Sequence, residues 1–306
     1  AVADARAEVS HALGVPLPPI AVRTARSLPA GGWRLLVDEV PASAGRCPVS
    51  EAIALLPIEE LEAVGIAARP EVDPATGCTV GVVAACDAAR AAALGPLRGP
   101  GERLGAALAA ALRAHAHLLL GVQDVQGLLE RMESTHPALV GELARQVPAA
   151  LLAEVLRHLL EEGVAIRPLH AILETLLEAA PSTRSAPALA DRCRRTLRRQ
   201  IAHRHAASGV LDALLIEPAA EAALRAGLAS PSASPDPAAV RALLDALGAE
   251  LSGQPGRRPV VLTGSDLRRP VRQLLAARHP AIAVLAYEEL PPALAVRPVG
   301  ALGGAT

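Results

Sequence analysis

The sequence has almost no aromatic side chains and no lysine. Among its 306 residues there is no phenylalanine, Trp33 and Tyr287 are the only tryptophan and tyrosine, and all thirty basic residues are arginine. Half of the residues are hydrophobic and a fifth are charged, which is the composition of a folded globular protein. We therefore expect an interior packed with aliphatic side chains and few rings that could stack on nucleic-acid bases.

The net charge argues against a general affinity for nucleic acid. The formal charge is −1 at pH 7, so no excess of positive charge attracts nucleic acid over the whole surface. Any such binding would have to come from a local basic patch.

Metal-binding and disulfide motifs are also missing. No C-x-x-C spacing and no nearby pair of histidines accompanies the four cysteines, Cys47, Cys78, Cys86 and Cys193. In HAH at 115–117 and HRH at 203–205, the two imidazoles would lie about 200° apart around a helix, too far apart to hold one ion. We therefore expect reduced thiols, no structural metal and no cofactor.

The sequence matches no catalytic motif. It has no G-x-S-x-G, no cysteine in a Cys–His motif and no glycine-rich loop before a lysine. The adjacent carboxylates Glu161 and Glu162, like Glu288 and Glu289, point apart on either a helix or a strand, so they do not form a pair of catalytic acids. We expect that the protein is not an enzyme.

Residues 260–290 contain two apolar runs that flank a helical spacing, which predicts a strand, a helix and a second strand. The turn between the first strand and the helix has one glycine and no lysine, and Asp266 would repel a phosphate. We therefore interpret this segment as scaffold, with Ser265 as the helix N-cap and with Arg268 and Arg269 in solvent.

Long apolar runs are absent as well. No uninterrupted stretch approaches the roughly 18 to 20 apolar residues that span a bilayer. The first residues, AVADARAEVSHALG, form a charged amphipathic pattern unlike a signal peptide. We expect a soluble polypeptide and, because an initiator methionine is missing, a piece of a longer protein.

The first third of the chain mixes helices and strands. Residues 3–13 suit a helix, and residues 20–23 and 33–40 suit strands. The segment from 41 to 88 is compact, with its own turn and acidic stretch. The pattern predicts an α/β first subdomain over 1–120, with a small α/β second subdomain inserted at about 41–88.

The remaining two thirds change character twice. Between residues 121 and 207, apolar residues recur at i, i+3, i+4 and i+7 in segments separated by Pro or Gly, which predicts an all-helical third subdomain. From 208 to 306, strands and helices alternate again and predict an α/β fourth subdomain. The fold class that follows is α+β with several subdomains.

The strongest charge feature is an arginine-rich stretch at 191–199. On a continuous helix, Arg192, Arg195 and Arg199 form one stripe. This stripe is either a solvated face, a contact with an acidic partner or subunit, or a contact with DNA phosphates.

The DNA alternative depends on the helices around 151–178. They are separated by a Gly-containing turn, as in a helix-turn-helix regulator. The second helix, however, carries Glu174 and Glu178 and hardly any donors for base edges. A DNA-binding regulator is therefore the second hypothesis.

Several segments occur in an order that is not generic. They are RAEVSHALGVPLPPIAVR, VDPATGCTVGVV, LRAHAHLLLGVQDVQGLLERMESTHPALVGEL, LAEVLRHLLEEGVAIRPLHAILETLLEAAP, LRRQIAH and VVLTGSDLRRPVRQLL. Over nearly its whole length the chain resembles the cytoplasmic C-terminal domain of the type III secretion export-gate family (FlhA/SctV). The LRRQI and VLAYEEL segments are more similar to the virulence injectisome branch than to the flagellar branch.

This resemblance implies a role in protein transport without covalent chemistry. Family members have a membrane-spanning half upstream, and their cytoplasmic domains form a nine-membered ring below the inner membrane. The ring receives chaperone–substrate and gatekeeper complexes, contacts the stalk of the export ATPase and helps to order export. We therefore expect a cytoplasmic platform at the inner membrane, with these partners and copies of itself, and no nucleic acid.

The resemblance also implies site residues. In the flagellar branch, an aspartate and an aromatic residue in a D-P-A-aromatic-G segment receive chaperones between the first two subdomains. Here Asp73 matches the aspartate, whereas Thr76 replaces the aromatic residue, which fits a different set of partners. Arg192, Arg195 and Arg199 fall in the ring-forming subdomain, so we expect them at the ring interface, where charge pairs set the register.

Overall fold

The structure is a computed structural model and describes residues 1–73, 79–206, 209–228, 237–253, 259–276, 278–279 and 282–303. The chain divides into two compact units, Ala1–Cys193 and Arg194–Thr306. Helices are interspersed with separate small sheets. This arrangement confirms the predicted α+β class with several subdomains.

Unit 1 begins with a helix, a hairpin and a small inserted sheet. Its first elements are α1 (Val2–Leu13), β1 (Gly32–Val37), β2 (Val40–Arg46), β3 (Glu51–Ala54), α2 (Ile58–Ala63), β4 (Ala68–Val72), β5 (Thr79–Ala84), α3 (Ala88–Ala92), β6 (Leu97–Arg98) and α4 (Pro100–His115). Helix α1 packs against α4 and buries Ala5, Val9 and Leu13 on one face.

Strands β1 and β2 form an antiparallel hairpin, whereas the sequence predicts a single strand at 33–40. The first strand ends at Val37 because Asp38 and Glu39 adopt positive φ angles of 49° and 67°, as in a two-residue hairpin turn. The predicted strand at 20–23 is wrong. That segment is mostly exposed and belongs to no strand of the described chain, so its apolar run forms no ladder hydrogen bonds.

The inserted sheet has the strand order β4-β5-β3-β6, with antiparallel pairs. Side chains alternate between its two faces. One face packs against α2 and α3 in a core of Ala52, Ala54, Leu61, Ile66, Val83 and Ala91. The other face carries Ile53, Val80 and Val82. Gly81 permits this packing, because a Cβ at this position would lie 2.6 Å from Leu61 Cδ1.

The chain then becomes helical, as its apolar periodicity predicts. The helices are α5 (Val122–Glu133), α6 (Pro137–Gln146), α7 (Ala149–Glu161), α8 (Leu169–Ala179) and α9 (Ala186–Thr196), the last of which continues into unit 2. Helices α7 and α8 bury their apolar stripes, among them Leu152, Leu156, Leu159, Ile172 and Leu176. The N–H of Ile166 donates to the Leu13 carbonyl at 2.8 Å and ties this region to α1.

Unit 2 is built on a parallel sheet. It continues with α10 (Arg198–His205), β7 (Val210–Ile216), α11 (Pro218–Leu228), α12 (Pro237–Gly253), β8 (Val260–Thr263), α13 (Ser265–Ala276), β9 (Val284–Ala286), a 3-10 helix (Tyr287–Glu289) and β10 (Ala295–Leu302). The strand order is β10-β7-β8-β9, and the described pairs are parallel. Strand β8, helix α13 and strand β9 confirm the strand, helix and strand predicted from the sequence.

The predicted subdomain boundaries at 120 and 207 remain predictions. The structure separates its two units between Cys193 and Arg194, inside α9. The inserted sheet begins at Glu51 and ends at Arg98, later than the predicted insert at 41–88, because β2 pairs with β1 instead of joining this sheet.

Among the helices that the structure describes, none is both long enough and apolar enough to cross a membrane.

Candidate functional site

A cavity of about 380 Å³ lies within unit 1. Its walls are strand β2, helix α4 and the α4-facing side of the inserted sheet. Cavities of roughly 300 to 1,000 Å³ accommodate small ligands, and a polar cluster within an apolar wall gives such a site its specificity. The size therefore falls in the range of a ligand site.

Helix α4 forms an unusually open wall. Ala107, Ala110, Ala111 and Ala114 line the cavity, and their i, i+3, i+4 and i+7 spacing places them on one face of the helix. Because alanine carries a single methyl group, this face cannot fill the space between the helix and the sheet.

The tryptophan lies on the opposite wall. Trp33 in β1 pairs across the hairpin with Gly45 in β2, and a Cβ at Gly45 would come within 3.0 Å of the indole. Trp33 also hydrogen-bonds to the Cys47 thiol. Burial raises the pKa of this thiol, and the nearby Arg103 guanidinium only partly opposes the effect, so Cys47 is a neutral thiol at pH 7.

Two groups of charged side chains lie at the cavity, and the first is centred on Arg103. Its side chain is 2% exposed and reaches from α4 to the sheet, where Nη2 lies 3.0 Å from Glu71 Oε1 and Nη1 lies 3.4 Å from Glu51 Oε2. Arg69 contacts the same two carboxylates from the solvent side. Helix and sheet are therefore joined by shared ion pairs.

The second group is the ion pair formed by Asp73 and Arg98. Asp73 follows β4 and Arg98 lies in β6, the two edge strands of the sheet. Arg98 Nη1 donates to Asp73 Oδ2 at 2.7 Å. The carboxylate side chain is 1% exposed and the guanidinium side chain 25%, so the arginine is the more accessible member of the pair.

The structure thus places one of the two cleft residues predicted from the resemblance. Asp73 lines the cavity, whereas Thr76 lies outside the described residues. Contact of either residue with a partner stays a prediction. Sequence reasoning missed Trp33, Arg98 and Arg103. The alternating R-x-E-x-D pattern at 69–73 was a signal for the two arginines, because an extended segment puts its three charges on one face, and that face needs charged partners.

The three predicted interface arginines are exposed, but they do not share one helix. Helix α9 contains Arg192 and Arg195, and α10 begins after a turn at the buried Leu197 and contains Arg199. The continuous stripe predicted from helical spacing is therefore interrupted at Leu197. The ring contact of these residues stays a prediction.

Two other arginines are buried, and one of them, Arg268, departs from its predicted setting. Arg194 is buried, with Nε 2.5 Å and Nη2 2.9 Å from the two carboxylate oxygens of Glu289. Arg268, expected in solvent, is 2% exposed and has its Nε 3.8 Å from the same carboxylate. Burial of these cations is compensated by Glu289, which is distant in sequence and so could not be anticipated.

The turn before α13, which the sequence analysis interprets as scaffold, is bonded to another part of the chain. Glu221 Oε1 accepts hydrogen bonds from the Thr263 hydroxyl at 2.6 Å and the Gly264 N–H at 3.4 Å, so a carboxylate of the chain occupies the place where an anion would bind. Ser265 is the first residue of the helix, not its N-cap, and its hydroxyl donates to Glu288.

In the part of the chain that the structure describes, the histidine, cysteine and carboxylate side chains do not form a metal site. No cluster of three or more potential ligands is present there. Cys47, Cys86 and Cys193 are free thiols, and Cys78 lies outside the described residues. Burial raises the pKa of Cys193 to about 12, which makes it an unreactive core side chain.

The comparisons with known proteins agree with one another. The FHIPEP family model matches residues 1–295. The probable translocation protein y4yR of Sinorhizobium fredii is 33% identical over 96% of this chain. The hypersensitivity response secretion protein HrcV of Ralstonia nicotianae is 32% identical over 97%. The chain spans 43% and 44% of the lengths of these two curated relatives.

Solved structures share the whole fold. The Chlamydia pneumoniae CdsV protein is 27% identical, with a TM-score of 0.88 over 98% of this chain and 89% of that chain, and CdsV has also been solved in complex with CdsO. The nonameric EscV cytosolic domain of a type III secretion system has the same fold, with a TM-score of 0.81 at 23% identity over 99% of this chain and 91% of that chain.

These matches confirm the predicted resemblance to the type III export-gate family and to its injectisome branch. They give no support to the alternative of a DNA-binding regulator.

Proposed function

Since this chain belongs to the FHIPEP family, we propose that it is the cytoplasmic platform of a type III secretion export gate. In this role it docks chaperone–substrate and gatekeeper complexes and helps to order their export, without covalent chemistry. The observation that carries the proposal is the match over residues 1–295, together with relatives that are secretion and translocation proteins.

The proposed location is the cytoplasmic face of the bacterial inner membrane. The chain spans less than half of each curated relative, and in this proposal the remaining part of the full protein supplies the membrane anchor.

Docking is supported by the geometry of unit 1. The cavity offers an apolar wall of alanines, a tryptophan and accessible arginine, and tryptophan and arginine are the side chains that most often anchor a protein interface. Helix α4 and the sheet are bridged by ion pairs at this point, and these charges would orient an incoming partner.

Self-assembly into a ring is the second part of the proposal. A structure of similar fold is nonameric, and Arg192, Arg195 and Arg199 are exposed on adjoining helices. A ring needs two different surfaces that meet head to tail, and an arginine surface paired with acidic groups of the neighbour would set its register. The CdsV–CdsO complex supports a further partner, which we propose to be the stalk of the export ATPase.

The reading frame immediately upstream of Ala1 tests the proposal at little cost. Several apolar stretches of about 20 residues in that frame would be the membrane half of an export gate. A start codon close to Ala1 would contradict the proposal, and binding to any DNA duplex that weakens steeply with salt would then favour the regulator.

A further inference from the structure

The cavity in unit 1 presents positive charge to an incoming group, although its lining contains both signs. The Asp73 carboxylate is 1% exposed. The Glu71 carboxylate is already bound by two guanidiniums, those of Arg69 and Arg103. Neither carboxylate is therefore well placed to bind a cation from outside.

The guanidiniums have spare donors. Arg98 is 25% exposed and uses one of its five N–H groups on Asp73 Oδ2. Arg46, also in the lining, is exposed and has a 3.5 Å contact with the Ala30 carbonyl. Because the cavity offers more unused N–H donors than free acceptors, it favours a ligand that supplies acceptors. A carboxylate is the acceptor group that matches a guanidinium best.

The remaining walls define the rest of the ligand. Ile53 and the alanine face of α4 are apolar, and Trp33 adds a ring. An aliphatic chain is the group that gains most from leaving water in such surroundings.

We propose that this cavity receives an aliphatic side chain ending in a carboxylate, and that Arg98 is the group that binds it. In the same proposal, Asp73 is a positioning residue that holds Arg98 in place and does not contact the ligand. This assigns Asp73 a different role from the partner contact expected from the resemblance. The proposal deepens the proposed function by naming the chemistry that a docking partner would present, a glutamate or aspartate beside apolar residues.

The geometry supports this division of roles. Arg98 is the cross-strand neighbour of Ile53 and therefore shares its face of the sheet. Its long side chain must be fixed to present donors to the cavity, and the buried carboxylate at 2.7 Å fixes it. Because Asp73 is anionic and nearly inaccessible, direct contact with a carboxylate would be repulsive.

The single tryptophan makes a direct test possible. Emission of Trp33 in the complete 306-residue chain is followed during titration with hexanoate and with hexylamine, which have equal chain lengths and opposite charges. We expect a saturable response to hexanoate at millimolar concentration and none to hexylamine. Equal responses to the two probes, or a response to the amine alone, would overturn the proposal.

Two variants locate the binding group. Arg98→Gln leaves a buried carboxylate behind, so the matched pair D73N/R98Q, which is neutral at both positions, is the variant in which folding is preserved. We expect D73N/R98Q to weaken hexanoate binding by at least about tenfold. Arg90→Gln, which removes an exposed arginine that pairs with Asp87 and lies outside the cavity lining, should leave binding unchanged. Retention of full affinity by D73N/R98Q would show that Arg98 is not the ligand group.

The direction in which Asp73→Asn changes the affinity for hexanoate distinguishes a positioning role of Asp73 from direct contact with the ligand. If Asp73 holds Arg98, the variant binds hexanoate several-fold more weakly while its circular dichroism stays unchanged. If Asp73 faces the ligand, loss of its negative charge strengthens binding, and this outcome contradicts the positioning role. Hexanoate binding is measured without any secretion partner. A secretion assay that contradicts the proposed function would therefore leave the binding result unchanged, and the two failures can be told apart.

Discussion

His117 carries one of the few buried polar atoms without a hydrogen-bond partner in the described part of the chain. Its Nδ1 atom lies just beyond α4 and is enclosed. Burial lowers the pKa of His117, with a smaller contribution from His115, while Glu161 acts in the opposite direction. The imidazole therefore binds a proton less readily in the folded state than in an unfolded chain.

This setting predicts a loss of stability in mild acid. As the pH falls below about 6.5, the unfolded chain binds a proton at His117 more readily than the folded chain does, so the free energy of unfolding decreases. His117→Leu should make the pH dependence shallower between pH 7.5 and 5.5, measured by urea denaturation. The exposed Leu118 provides the control, since Leu118→Gln neither adds nor removes a titratable group and should leave the slope as it is. An unchanged slope in His117→Leu would contradict this explanation.

At the scale of elements, the 3-10 helix after β9 organises one side of unit 2. Its Glu289 is 2% exposed and accepts hydrogen bonds from both donor arms of Arg194 and from the Ala286 N–H. Arg268 of α13 lies beside the same carboxylate. One carboxylate thus joins the start of unit 2, helix α13 and the end of β9.

Removal of that charge should destabilise unit 2. Glu289→Gln leaves two buried guanidiniums without their shared carboxylate, a change that costs about 3 kcal/mol. The adjacent Glu288 is exposed and binds Ser265, so Glu288→Gln should change the unfolding free energy by no more than about 0.5 kcal/mol. Thermal and urea unfolding of the two variants provide the comparison, and equal stabilities would contradict a structural role for the Glu289 cluster.

At the scale of the whole molecule, the local sequence pattern predicted most helices and strands, but not which of them pack or pair with one another. The 3.6-residue periodicity located the helices from α5 to α8, and it is clearest in α7 and α8, which bury apolar stripes. The strand at 20–23 was predicted wrongly, since an apolar run does not show whether a partner strand exists. The burial of Arg194 and Arg268 depends on Glu289, and the cavity depends on the hairpin, α4 and the inserted sheet lining one space; no local pattern contains these long-range relations.

Ring assembly is the prediction that belongs to this scale. Reversal of charge in Arg195→Glu or Arg199→Glu should weaken self-association, because like charges would then face the acidic groups of the neighbouring copy. Sedimentation velocity over a range of concentrations measures the effect. Arg26→Glu, an exposed substitution in the segment before β1, is the control. Association equal to that of the unchanged chain would make the arginines a solvated face.

Secretion from the organism that carries this gene tests the central claim most directly. The full-length gene is replaced by a version that lacks residues 1–306, and proteins in the culture medium are compared with those of the parent strain and of a strain in which the complete gene is restored. The account predicts that export of type III substrates stops in the truncated strain and returns on restoration, with growth unchanged. Normal export from the truncated strain would contradict the assignment as an export-gate platform.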